Sequence, residues 1–166
     1  MSEFPTPSDT DTSEAIDLDQ LLTEVAPLVD AMEVRGFEMN RWGIALDEAT
    51  VIEVELDEAT GKLFLTTSLG RVNEGDETSV YKLLLQLATL FRENGGLRMG
   101  LDPVTDSVIL IQDLPVASLS LEVLERELKD FIEAGTQTVA LLDATPDPAE
   151  ASAEQPSDHL ASTLRV

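Results

Sequence analysis

The sequence predicts an α+β domain: one twisted antiparallel sheet of about five strands with three helices, in the order α-β-β-β-α-β-β-α. Three observations predict it. Between Trp42 and Leu69, apolar residues recur at every second position in three runs joined by short polar turns, which is the period of antiparallel strands. From Val80 to Glu93 the pattern is that of a long apolar helix, stopped by Asn94-Gly95-Gly96 and followed by a second strand pair. Outside these segments, residues 18–32 and 121–132 each keep apolar residues on one face of a helix.

In chain order, residues 1–15 are Ser, Thr, Pro, Asp and Glu with one Phe. They offer too little apolar surface to offset the entropy of ordering, so a disordered acidic tail is expected. The first helix is expected from Leu18 to Met32, with Asp17 as its cap, a kink at Pro27 and an end at Gly36. Three strands follow around Trp42–Leu46, Ile52–Leu56 and Leu63 to about Leu69. The tetrapeptide Asp-Glu-Ala-Thr closes both intervening turns, at 47–50 and again at 57–60. A polar loop, 70–77, leads to Thr78 as the expected cap of the long helix.

After the glycine break, Leu97, Met99 and Leu101 alternate, residues 102–106 turn, and Val108 to Ile111 is apolar on both faces until Pro115. Ser118 or Ser120 caps the last helix, whose face is Leu121, Leu124, Leu128, Phe131 and Ile132. From about Asp143 the chain is mostly Pro, Ala, Ser, Asp and Glu, again the composition of a tail. The expected organisation is therefore a domain over 16–142 between tails 1–15 and 143–166.

Charge and residue types exclude most chemistry. With 33 acidic against 10 basic residues the chain carries a formal net charge of -23. That field repels nucleic acid and anionic membranes and favours basic partners. There are no cysteines, which excludes disulfides and thiolate chemistry. The one histidine, His159, falls in the C-terminal tail, far from any triad or metal cluster. Gly61-Lys62 lacks the rest of a phosphate loop, and Asp9-Thr10-Asp11 lacks the glycine and distal Glu of a calcium loop. The carboxylate pairs Glu53/Glu55 and Glu122/Glu125 read as solvated faces. No cofactor and no enzymatic activity are expected. No signal-like leader and no apolar run of membrane-spanning length is present, so the expectation is a cytoplasmic protein.

The long helix carries a surplus. Lys82, Gln86, Thr89 and Glu93 form one stripe, with Arg92 slightly apart, and the other residues cover an apolar arc of roughly 220°, against about 100° for a helix on a monomer's surface. Such a helix is either enclosed in its own domain or shared with a second copy. The small size of the domain favours sharing.

The order of elements, with LDQLLTEV, YKLLLQLATLF, GLRMGLD, SVILIQDLP and LEVLERELKDFIEAG, resembles the type III secretion chaperones of the Tir chaperone (CesT) family, over about Asp17 to Leu142. The resemblance implies a small acidic homodimer of the bacterial cytoplasm. It implies binding of an unfolded N-terminal segment of secreted effector proteins, kept soluble and handed to the export apparatus, with the apparatus ATPase as one candidate contact. Leu21, Leu22, Val25, Val29, Ile44 and Leu46 are then the expected effector-binding residues. Leu83, Leu87, Leu90, Leu97 and Met99 are the expected dimer interface. Two other readings stay open at this point: a YbjN-like regulatory or protein-binding module, and a small enzyme built on a carboxylate pair.

Overall fold

Asp17 starts the first helix by accepting a hydrogen bond from the Gln20 backbone N–H at 3.1 Å, as its side-chain type predicts. The computed structural model describes residues 16–73, 75–89 and 96–143. Helix α1 runs over Leu18–Val25 and ends earlier than the apolar pattern suggested. Pro27 does not kink it. The proline sits in the first turn of a separate 3₁₀ segment, Ala26–Val29, where its missing N–H costs nothing. Asp30 then adopts the left-handed conformation (φ 56°) and turns the chain.

That early turn makes room for a sixth strand. β1 spans Glu33–Phe37, so Gly36 is a strand residue rather than a helix terminator. It pairs with β2, Arg41–Ala45, through a tight turn in which Met39 and Asn40 are both left-handed (φ 64° and 56°). β3 is Val51–Asp57 and β4 is Lys62–Arg71. Helix α2, Glu77–Ala88, begins one residue before the expected cap, Thr78; Asp76 is at the cap position, without a side-chain bond. β5 is Arg98–Leu101 and β6 is Ser107–Pro115. Helix α3 extends over Leu121–Asp143, eleven residues beyond the stretch whose apolar face the sequence marked. Ser120 is its cap, accepting from the Val123 N–H at 3.2 Å.

The six strands form one antiparallel sheet in the order β1-β2-β3-β4-β6-β5. α1 and α3 cover one face. Beneath them lie Ile44, Ile52, Val54, Leu63, Leu65 and Leu110, all buried, together with Leu22 and Val25 from α1 and Leu124, Leu128 and Phe131 from α3. Full burial of each such side chain contributes about 1.5–3 kcal/mol. A second, smaller cluster sets Val80 and Leu84 of α2 against Val108 of β6, with Leu69, Tyr81, Met99 and Leu142 around them.

Three turns share one device. Asp47, Asp57 and Asp102 each turn one carboxylate oxygen back to accept the N–H groups two and three residues on, at 2.8 and 2.7 Å, 2.9 and 3.3 Å, and 2.7 and 2.8 Å. These bonds hold all three carboxyls below the usual aspartate range, led by the Ala49 N–H at Asp47, the Thr60 hydroxyl at Asp57 and the Thr105 N–H at Asp102. The third turn, Asp-Pro-Val-Thr, is the same Asp-x-x-Thr unit as the repeated pair.

Candidate functional site

Among the described residues several apolar surfaces remain once the core is filled. The first surrounds β1. This strand bonds to β2 on one side, and no described strand pairs with its other edge. Its neighbourhood holds Met32 (68% exposed), Phe37 (60%) and Met39 (81%), with Leu28 nearby in the chain. Phe37 lies across Gly43, whose missing side chain leaves room for the ring; an added Cβ there would stand 3.3 Å from it. Glu33 pairs with Arg35 at 2.9 Å on the same strand. On the other side of β1, Trp42 donates its indole N–H to Asp19 at 2.6 Å, tying α1 to β2.

The expected binding residues divide here. Leu22, Val25 and Ile44 have no exposed surface, and Val29 is nearly closed. These four are corrected to core positions: α1 turns its apolar stripe down onto the sheet, and Ile44 meets it from below. Leu21 and Leu46 are half-buried and pack at the margin of the same cluster. Met32, Phe37 and Met39 were missed because the sequence placed them at a helix end or in a loop. Period 2 is hard to read in five residues that alternate Val34 with glycine.

The second surface is the outer side of α2. Only Val80 and Leu84 are buried. Leu83 and Leu87 are half-buried, and Leu85, which the sequence reading did not single out, is 72% exposed. Leu97 and Met99 pack against the protomer's own core. Leu90 lies outside the described residues.

A groove of about 540 Å³ opens between the C-terminal half of α3 and the β2–β3 turn, lined by Leu46, Ile52, Leu69, Ile132 and Val139. Gly135, on the same wall, brings α3 close to the sheet; a Cβ there would lie 3.6 Å from Leu69.

The carboxylates that could do acid–base chemistry are engaged or solvated. Glu53 and Glu55 flank Arg41 at 3.7 and 3.8 Å on the open face of the sheet. Glu125 pairs with Lys129 at 2.6 Å, and Glu122 is exposed. Asp113 is held at 2.6 Å by Lys62 and at 2.5 Å by Arg98, clamping β5 and β4 to β6. The Lys62 hydrogen bond, then the positive charges of Arg98 and Lys62, keep its carboxyl below the usual range. Among the described residues no three His, Cys, Asp or Glu side chains group to hold a metal, and no helix is long and apolar enough to cross a membrane.

Among the described residues the sheet has two edge strands, β1 and β5, each paired on one side only; α2 leaves apolar side chains exposed, and the carboxylates above are ion-paired or solvated. The family model of the Tir chaperone protein (CesT) family matches residues 38–138, more than half of the chain. This chain belongs to that family.

Solved structures share the fold. The ExsC–ExsE complex is matched with a TM-score of 0.63 at 21% identity, over 75% of this chain and 92% of that one. The HopA1–SchA chaperone–effector complex gives 0.60 at 20% identity, over 74% and 92%. The Yersinia pestis type III secretion chaperone SycH, solved with a stable fragment of YscM2, gives 0.55 at 18% identity, over 72% and 97%. No curated protein matches the chain. Within this CesT-family chain the matched stretch runs from the β1–β2 turn to the last turns of α3. α1 and β1, which build the open edge, precede it.

Proposed function

We propose that this CesT-family chain is a type III secretion chaperone that performs no chemistry. In this reading it acts as a homodimer in the bacterial cytoplasm and holds an unfolded N-terminal segment of a secreted effector. The observation that carries the reading is the free edge of β1, bordered by Met32, Phe37 and Met39. A sheet edge offers a row of backbone donors and acceptors to an extended chain, and apolar side chains beside it select alternate residues of that chain. Leu21 and Leu46, half-buried at the margin of the core, are not placed beside this edge. The buried four, Leu22, Val25, Val29 and Ile44, support this surface from beneath.

The second copy covers α2. Leu83 and Leu87, one turn apart, form a strip that a partner helix can close, while Leu85 points to the other flank of α2; burial of that strip is not screened by salt. The charge of -23 keeps the loaded complex soluble and speeds capture of basic segments. Release to the export apparatus follows, with its ATPase as the candidate contact.

The test is co-purification from a host that expresses candidate clients, with mass spectrometry of what stays bound. A secreted protein should be retained through its N-terminal segment at both low and high salt. Met32→Asp with Phe37→Asp should weaken retention at least tenfold with the thermal transition kept within a few degrees, because both side chains are exposed. If the unaltered dimer retains no such segment, the chaperone reading fails and a YbjN-like module stands in its place.

A further inference from the structure

The groove beside α3 has an occupant within reach in the same chain. Its lining is mainly apolar, with Leu46, Ile52 and Leu69 from the sheet and Ile132 and Val139 from α3, and it also includes Asp47 and the hydroxyls of Thr50, Thr67, Ser68 and Thr136. Val139 is four residues, about 6 Å along the helix, from Asp143, the last described residue of α3. The sequence that follows has two parts. Residues 144–158 contain four acids, no base and no Leu, Ile, Val, Phe or Met. Residues 159–166, HLASTLRV, contain no acid and hold Leu160, Leu164, Val166 and the tail's single arginine, Arg165.

A spacer without large apolar residues, followed by an apolar and basic island, has the pattern of a tethered ligand. The 15 residues of the spacer reach at most about 50 Å when extended. That span returns the island to a groove that begins beside the spacer's own starting point. Leu160 and Leu164 are spaced to lie on one side of a single helical turn, and Arg165 carries charge opposite to Asp47.

We propose that residues 159–166 of the chain dock in the groove between α3 and the β2–β3 turn, with Leu160 and Leu164 against Ile132 and Val139 and Arg165 toward Asp47. The tethered segment covers an apolar surface that would otherwise be open on a protein with apolar surfaces to spare. Because tethering raises its local concentration to the millimolar range, even a weak contact is populated. The inference does not rest on the client reading and is tested without a client.

The chain has no cysteine, so Ser162→Cys in the full-length protein takes one nitroxide label. Methyl signals of Ile132 and Val139 should broaden at least threefold more than those of Leu63 and Leu114, which pair at the opposite end of the sheet. Leu160→Asp with Leu164→Asp should abolish that selectivity; both changes lie outside the described domain, and circular dichroism checks the fold. Uniform broadening, or none, overturns the proposal. Selective broadening that survives the double substitution also overturns it, since tethering alone then explains the proximity. A sample pairing labelled, isotope-silent chains with unlabelled, isotope-rich ones reads the exchange between copies. Broadening found only there assigns the groove to another copy's tail and overturns docking within one chain.

Discussion

Helices α2 and α3 are both rich in leucine, yet they stand in opposite relations to the core. In α3 the residues facing the sheet are Leu121, Leu124, Leu128, Phe131, Gly135, Thr138 and Leu142, spaced alternately three and four apart with charged residues between. Nearly all of that stripe is used within the protomer. In α2 the apolar residues run together, Leu83, Leu84 and Leu85 then Leu87 and Ala88, and only Val80 and Leu84 are buried. Spacing, not apolar content, decides what a helix can bury against one sheet. A contiguous apolar run must turn part of itself away from that sheet.

Substitutions can break this comparison or sharpen it. The largest effect is expected at Phe131, 1% exposed and central to the α3 stripe. Phe131→Ala should destabilise the protomer by about 3–5 kcal/mol, read from the denaturant midpoint. A cost below about 1 kcal/mol would mean that α3 is not the anchor. On α2, Leu83→Asp with Leu87→Asp should leave the far-ultraviolet spectrum intact while light scattering falls from the mass of two chains to the 18.0 kDa of one. If mass is unchanged and secondary structure is lost instead, α2 belongs to the protomer's interior and the contrast disappears. The smallest effect is expected at Gly135. An added methyl there meets Leu69 and Leu110 at ordinary contact distances of 3.6 and 3.8 Å. Gly135→Ala should therefore gain up to about 1 kcal/mol of helix propensity. A loss would show that α3 sits tighter on the sheet than those distances allow.

Much of the fold was legible because its signals are local. The Asp-x-x-Thr turns announce the hairpins, Asp17 and Ser120 cap their helices as their side chains predict, and the alternation in β3, β4 and β6 is carried by β-branched and leucine residues. β1 was not legible. Its turn places Met39 in a left-handed conformation that methionine rarely signals, and Gly36 mimics the end of a helix. The site was read less well than the fold for a related reason. Helical spacing identifies an apolar face, but it does not tell whether that face meets the sheet or the solvent. Leu22 and Val25 met the sheet, where Ile44 of β2 faces them, while the exposed methionines and Phe37 lay in a stretch with no readable period.

The strand order also has a kinetic side. β1, β2, β3 and β4 stand in the sheet in the order in which they stand in the chain, each joined to the next by a short turn. Pairing β4 with β6 is different: the match of Arg71 with Ser107 must close over the intervening residues 72–106, which include α2 and β5. Closing a loop of that length costs roughly 1.7 kcal/mol more entropy than closing a five-residue hairpin turn. Local pairings of this kind form sooner than distant ones. The meander, with its open β1 edge, thus precedes α2 both in synthesis and in the cost of closure, so a nascent chain carries its strand edge before it carries the apolar face of α2.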